Sequence, residues 1–286
     1  MFEQRSTHAV KSKIEMKCNL SICRLLTRAL RMTNWRNFAV SVYYCPLCDR
    51  KRAFVRLDAN EISVRCISCR ATSITLSIVA VLRSISPNLK LKNVYELSSR
   101  GPLVHYLNRN SKSLTCSEYF KDTTPGYYKN EVQCQDVQSL TFPNESFDIC
   151  TSTEVFEHVP NDARAFSEIH RVLKPSGIFV FTVPIDIGNK TIERATLTSG
   201  GEVRHLLPPE YHSDPIRNDH PILAFRNYGY DILERLMDAG FKRAEVRSPG
   251  FDMPWGYSRP VLIAYREKAS DNWLKSDPLQ LRCASK

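Results

Sequence analysis

Two close pairs of cysteines constrain this chain more sharply than any other feature. Cys45-Pro46-Leu47-Cys48 is followed, after seventeen intervening residues, by Cys66-Ile67-Ser68-Cys69. A two-residue gap lets both sulfurs of a pair turn toward one metal, and a hairpin between the pairs brings the two knuckles together. Ala53 to Leu57 and Ile62 to Arg65, separated by Asp58-Ala59-Asn60, supply that hairpin. Four thiolates leave no open position, so the spacing predicts a structural zinc ribbon with Cys45, Cys48, Cys66 and Cys69 as ligands. Iron in a similar site, or packed thiols without metal, are the alternatives. The other six cysteines are scattered and read as reduced thiols.

Charge divides the chain. Residues 1–93 hold 17 Lys+Arg against 5 Asp+Glu, whereas residues 94–286 hold 23 against 25. The basic surface therefore belongs to the N-terminal part, where it can face solvent, an acidic partner, RNA or a membrane surface. Residues 19–38 carry apolar side chains at helical spacing, among them Leu20, Leu25, Leu26, Leu30 and Trp35, with Arg24, Arg28, Arg31 and Arg36 on the other face. This predicts an amphipathic helix docked on the ribbon or the enzyme. No apolar run is long enough to span a membrane, and no compact secretory signal occurs, so a cytoplasmic location is expected.

From residue 93 onward, short apolar strands alternate with helical patterns. Strands are expected at Val94–Leu97, Ser113–Cys116, Val132–Cys134, Phe147–Thr151, Ile178–Val183, Phe241–Arg247 and Val261–Tyr265. Helices are expected from Leu103, over Ala163–Leu173, stopping before a turn at Pro175-Ser176-Gly177, and over Tyr230–Ala239, ending at Gly240. Such alternation predicts an α/β fold, a Rossmann-like, mostly parallel sheet covered by helices on both faces. Residues 185–226, rich in Pro, His and charge, read as an inserted loop or cap. The expected organisation is a basic arm (1–40), the ribbon (41–75), the α/β domain with its insert (76–270) and a tail (271–286).

Four blocks in the α/β part carry a resemblance. They are Val94-Tyr95-Glu96-Leu97-Ser98-Ser99-Arg100-Gly101, the run from Gln135-Asp136-Val137 to Ser146-Phe147-Asp148, Glu154-Val155-Phe156-Glu157-His158-Val159-Pro160, and Glu168 to Gly177. In order and spacing they resemble class I S-adenosylmethionine-dependent methyltransferases, of the group that includes ubiquinone-biosynthesis enzymes. The resemblance implies that Glu96, Ser98 and Gly101 hold the cofactor's amino-acid end. It implies that Asp136 accepts the adenine amino group, that Val137 gives a backbone contact, and that Glu154 neighbours the cofactor. Glu118 follows Glu96 by 22 residues, where a Rossmann-like site binds ribose hydroxyls, and Tyr119 can cover the adenine. The loop departs from the family's glycine-rich pattern, with Ser98, Ser99 and Arg100 before Gly101.

Methyl transfer needs an in-line approach and, for a hydroxyl acceptor, a group that takes the proton. His158, Glu157 and His212 are the candidate catalytic residues, His158 as the base. In some ubiquinone-pathway relatives a matching Glu-x-x-Glu-His pattern is linked to a divalent cation, which here implies Glu154, Glu157 and His158. Within the insert, Tyr211, His212 and Asp214 can bind or deprotonate an acceptor, and Arg194, Arg204 and His205 can bind an acidic one. The favoured function is O-methylation of a small-molecule or sugar-type acceptor. The alternatives are an RNA methyltransferase gripping nucleic acid through the basic ribbon module, or a non-catalytic binding module. No Asn-Pro-Pro-Tyr-like motif follows the fourth strand, where Ser152-Thr153-Glu154-Val155 stands.

Overall fold

The computed structural model describes residues 36–214, 220–250 and 252–267. The amphipathic segment expected at 19–38 lies almost wholly outside these residues, as does the tail at 271–286. The chain opens on β1 (Ala39–Cys45), β2 (Arg50–Arg56) and β3 (Val64–Cys66), an antiparallel three-stranded sheet in that order. The expected hairpin between the cysteine pairs is therefore β2–β3, with β1 as a third strand that periodicity had not marked. Helix α1 (Ser73–Ile85) follows, its first turn capped by the Thr72 hydroxyl accepting from the Thr75 N–H at 3.2 Å.

The α/β part contains β4 (Asn93–Glu96), α2 (Pro102–Asn110), β5 (Ser113–Glu118), β6 (Tyr128–Lys129), β7 (Val132–Cys134), β8 (Phe147–Thr153), α3 (Asp162–Val172) and β9 (Leu173–Thr182). The insert forms β10 (Ile185–Asp186), β11 (Ile192–Glu193), β12 (Ala195–Leu197), β13 (Val203–His205), β14 (Tyr211–Asp214), β15 (His220–Leu223) and β16 (Arg226–Gly229). The chain returns through α4 (Ile232–Asp238), β17 (Arg243–Arg247) and β18 (Val261–Tyr265). One eight-stranded sheet runs β17-β18-β9-β8-β4-β5-β7-β6. Its centre is parallel: β7, β5, β4, β8 and β9 pair in parallel, while β18 is antiparallel to both β9 and β17.

Alternate residues of each central strand enter opposite cores, which is why these strands read as continuous apolar runs. Tyr95, Cys150, Phe179, Phe181 and Leu262 pack beneath α3 and α4 with Phe166, Ile169, Ile232 and Leu236. Val94, Ile149, Val180, Val261 and Ile263 pack beneath α1 and α2 with Ile78, Leu82, Leu103 and Leu107. Thus helices cover both faces, as a parallel sheet requires.

Two segments differ from sequence expectation. Pro175-Ser176-Gly177 does not break the chain between helix and strand; it lies inside β9. The pairing of β8 with β9 jumps there, from Phe147↔Leu173 to Ile149↔Ile178, so the turn residues become a bulge. Gly177 is needed at this point, because a Cβ would meet the Lys174 carbonyl oxygen at 2.8 Å. The insert is not an irregular loop. It folds into the β12–β13 and β14–β15 hairpins and a small sheet in the order β10-β16-β11. Among the described residues, no helix is long and apolar enough to cross a membrane.

The ribbon is fused to the α/β part through a shared core. Cys45, Phe54, Val64 and Cys66 pack with Leu76 of α1 and with Met253, Trp255 and Tyr257 from the β17–β18 loop. Tyr43 meets Trp255 at 5.3 Å between ring centroids, and the Arg56 guanidinium sits 5.3 Å from the same ring.

Candidate active site and cysteine centre

Strands β4, β5 and β7 end along one edge of the sheet, and each leaves a carboxylate there. Glu96 closes β4, Glu118 closes β5 and Asp136 lies two residues past β7. In register, Glu96 pairs with Cys116 and Glu118 with Cys134, so the three acids step outward along the strand ends. In a doubly wound sheet this edge, where the order reverses between β4 and β8, is where ligands bind.

Glu96 is 1% exposed, and burial pushes its pKa up to about 8. Its carboxylate accepts from the Thr151 hydroxyl of neighbouring β8. Glu118 anchors the loop after β4: it accepts from the Ser99 N–H at 3.0 Å, the Ser99 hydroxyl at 3.1 Å and the Ser98 hydroxyl at 3.4 Å. The serines at the glycine positions thus tie the loop to β5. Arg100 is exposed, so its guanidinium does not fill the interior. Gly101 begins α2 at φ +99°, and a Cβ there would meet nothing within 4 Å. Space is therefore open beside the helix N-terminus. Asp136 accepts from the backbone and side-chain N–H groups of Gln138 at 2.9 and 3.1 Å. Val137 is buried, and Tyr119 is 53% exposed beside the β5 end. An open loop, a buried carboxylate for an ammonium and two further acids on adjacent strand ends fit the parts of S-adenosylmethionine, whose sulfonium would supply the methyl group.

Across the switch point, β8 leads into Glu154-Val155-Phe156-Glu157-His158. Glu157 is 1% exposed and neither of its carboxylate oxygens has a hydrogen-bond partner. His158 Nε2 and His212 Nδ1 each lie 3.7 Å from Glu157 Oε1. The two imidazoles meet edge-on at 4.9 Å. The three candidate catalytic residues, separated by most of the insert in sequence, are therefore one cluster. The two neighbouring carboxylates, Glu157 foremost, push the His212 pKa up to about 8.

Glu154 goes elsewhere. Its Oε2 pairs with Arg259 Nη2 at 2.8 Å, and the same nitrogen reaches Glu61 Oε1 of the ribbon at 2.9 Å. Burial and the Glu157 charge nonetheless push the Glu154 pKa up to about 7, against the pull of Arg259. The acidic residues of the Glu-x-x-Glu-His pattern thus point to different partners.

Within the insert, Arg194 is internal structure: it bonds the Pro208 carbonyl at 2.7 Å and pairs with Glu210 at 3.4 Å. Arg204, His205 and Tyr211 are exposed. Sequence reading missed Arg226, which is 3% exposed. Its guanidinium donates to the carbonyls of Phe156 (3.2 Å), Val159 (2.5 Å) and Pro160 (2.7 Å) and to Glu193 (3.1 Å). This single side chain clamps the Glu157–His158 turn to β16. The turn is held again by the Phe225 N–H on the Glu157 carbonyl at 2.7 Å. The one available signal was an arginine in an otherwise apolar strand approach, Ala224-Phe225-Arg226.

In the ribbon, the four sulfurs of Cys45, Cys48, Cys66 and Cys69 lie within 4.8 Å of one another, and Cys45 and Cys69 approach to 3.6 Å. Sulfurs bound tetrahedrally to one zinc are about 3.8 Å apart, so the cluster fits that ion. Each knuckle ends in a left-handed residue, Asp49 at φ 55° and Arg70 at φ 62°, which turns the chain back after the second cysteine.

Comparison with known proteins agrees with this geometry. Residues 93–181 match the methyltransferase domain family. This region is a methyltransferase domain by that match. A sterol 24-C-methyltransferase of Yarrowia lipolytica is 32% identical over 127 residues, covering 43% of this chain and 29% of the relative. A ubiquinone biosynthesis O-methyltransferase of Coxiella burnetii is 40% identical over 50 residues, covering 18% of this chain and 21% of the relative. The chain spans well under half the length of these curated relatives. A crystal structure of an S-adenosylmethionine-dependent methyltransferase from Mesorhizobium loti aligns at 16% identity and TM-score 0.41, covering 65% of this chain and 96% of that one.

Proposed function

We propose that this protein transfers the methyl group of S-adenosylmethionine to an oxygen of a small-molecule or sugar-type acceptor. Glu96, Ser98 and Gly101 receive the amino-acid end of the cofactor, while Glu118, Tyr119, Asp136 and Val137 receive the adenosine. In the transfer, the bond from sulfur to methyl breaks with its electron pair moving to sulfur. A bond from the acceptor oxygen to that carbon forms, and the hydroxyl proton leaves. The Glu157–His158–His212 cluster handles that hydroxyl, and Glu154 borders it. Cys45, Cys48, Cys66 and Cys69 hold a structural zinc.

One observation carries this reading: a buried carboxylate without a hydrogen-bond partner, flanked by two imidazoles, stands just past the end of β8, next to the strand whose tip holds Glu96. That arrangement suits an acceptor with a dissociable proton. The balanced charge of residues 94–286 favours a small acceptor over nucleic acid. Calorimetry should detect S-adenosylmethionine binding, and Asp136→Ala should weaken it at least about 10-fold, the loss of one charged hydrogen bond. Transfer of labelled methyl to a panel of hydroxylated compounds then identifies the acceptor. Absence of cofactor binding at near-millimolar concentration would refute the proposal.

A further inference from the structure

We propose that Ser99 is a positioning residue for the cofactor: it presets the Glu118 carboxylate to receive the ribose hydroxyls. In this chain a side chain thus does work at a place where the resembled pattern carries glycine. The inference rests on the adenosine contacts proposed above.

Glycine at such a position gives the backbone freedom and offers no hydroxyl. Here the loop between β4 and α2 is held along its length. Leu97 donates its N–H to the Thr151 carbonyl of β8 at 3.1 Å, and Gly101 turns the chain into α2 at φ +99°. Between them, Ser99 donates both its backbone N–H (3.0 Å) and its hydroxyl (3.1 Å) to one oxygen of Glu118, Oε1. The Glu118 backbone is fixed too, its carbonyl accepting from the Gln135 N–H at 2.9 Å. A glutamate side chain at a strand end samples several rotamers. One gripped by two donors of a single loop residue keeps its place, and hydrogen bonds to an ionised acceptor are the stronger kind. The ordering of Glu118 is then complete before the cofactor arrives, so binding does not carry that cost.

Ser98 plays a different part. Its hydroxyl stands 3.4 Å from the same Oε1 and 3.4 Å from the Arg100 nitrogen, both at the long end for a hydrogen bond. It holds weakly and can yield its place to a ribose hydroxyl. Two neighbouring serines that sequence alone does not distinguish thus separate into an anchor and a placeholder.

Binding of S-adenosylhomocysteine to the full chain is measured by calorimetry, and binding of its 2′,3′-dideoxy analogue by displacement. Ser99→Ala should weaken S-adenosylhomocysteine about 10-fold, the loss of one hydrogen bond to a charged group. Ser99→Gly, the residue of the family pattern, should weaken it at least as much, and Ser99→Thr, which keeps the hydroxyl, should stay within about 2-fold of wild type. Ser98→Ala should also stay within about 2-fold. The analogue lacks the hydroxyls that Glu118 receives, so Ser99→Ala should change its affinity by less than about 2-fold, whereas a merely structural serine would weaken both ligands alike. Adding Ser99→Ala to Glu118→Ala should likewise cost less than about 2-fold. Equal losses for the two ligands overturn the proposal. So does an undiminished affinity in Ser99→Ala and Ser99→Gly, or a tighter one, which would make the serine a block and not a guide. Each of these results leaves the cofactor reading standing; no binding of S-adenosylhomocysteine by wild type defeats the cofactor reading and the role of Ser99 with it.

Discussion

The buried Glu96 makes the stability of the cofactor-free protein fall as pH rises. Its folded pKa is about 8, against an ordinary 4.5, because desolvation at the tip of β4 outweighs the hydrogen bond from Thr151. The folded state therefore keeps a proton that the unfolded chain has already released. Stability is greatest at low pH, declines once the unfolded carboxyl ionises, and finishes declining as pH passes the folded value. Between about pH 5.5 and pH 7.5 this group alone costs about 2.5 kcal/mol, at 1.36 kcal/mol per pKa unit. In a domain of this size that is a loss of roughly 5–10 °C in Tm. Glu96→Gln keeps the shape and removes the titration. Urea or thermal unfolding of both proteins at the two pH values should show the wild-type curve falling more steeply by that amount. Glu154, whose pKa is also raised, titrates in both proteins and cancels in the comparison. Saturating S-adenosylmethionine should flatten the wild-type curve, because its ammonium stabilises the ionised carboxylate. Parallel pH curves for wild type and Glu96→Gln would show that this carboxyl is not held protonated, and the reasoning would fail.

Arg226→Met should destabilise the protein by about 3–5 kcal/mol, since it removes the guanidinium that bonds the carbonyls of Val159 and Pro160 and takes from Asp162 one of its two arginine partners; chemical denaturation measures the loss, and a change under about 1 kcal/mol would contradict the clamp. Stripping the ribbon metal with a chelator and a thiol-trapping reagent should label all four ribbon cysteines and expose the cluster around Phe54, Leu76 and Met253. The far-ultraviolet signal of the parallel sheet should largely persist, and its complete collapse would show that the ribbon and sheet fold as one unit.

The central sheet was legible because its physics is local. Strands buried on both faces must be apolar throughout, and Val94–Leu97, Phe147–Thr151 and Ile178–Val183 announce themselves without knowledge of their neighbours. The cysteine pairs were legible for the same reason, since two residues of spacing determine a knuckle. The bulge at Pro175-Ser176-Gly177 was not, because a turn signature and a bulge signature share the same residues, and only the pairing of β9 with β8 decides between them. The insert read as a loop or cap, without strands, because its strands are two to four residues long, below the length at which alternation shows.

Contacts between distant parts of the chain escaped for a different reason, and Arg259 shows why they matter. It sits in Ser258-Arg259-Pro260, a loop with no periodicity, 105 residues from Glu154. Nothing nearby in sequence signals that its Nη2 reaches the ribbon's Glu61 and the acid after β8 together. Its backbone N–H is fixed as well, by the Ser77 hydroxyl of α1 at 3.0 Å. One residue therefore joins ribbon, helix and sheet tip, its guanidinium in a mostly buried space where a charge is costly to leave unpaired. Any displacement of the ribbon takes Glu61 with it and shifts the balance of charge on Glu154. A module that looked separable by its cysteines is thus part of the environment that sets the protonation of an acid beside the proposed acceptor.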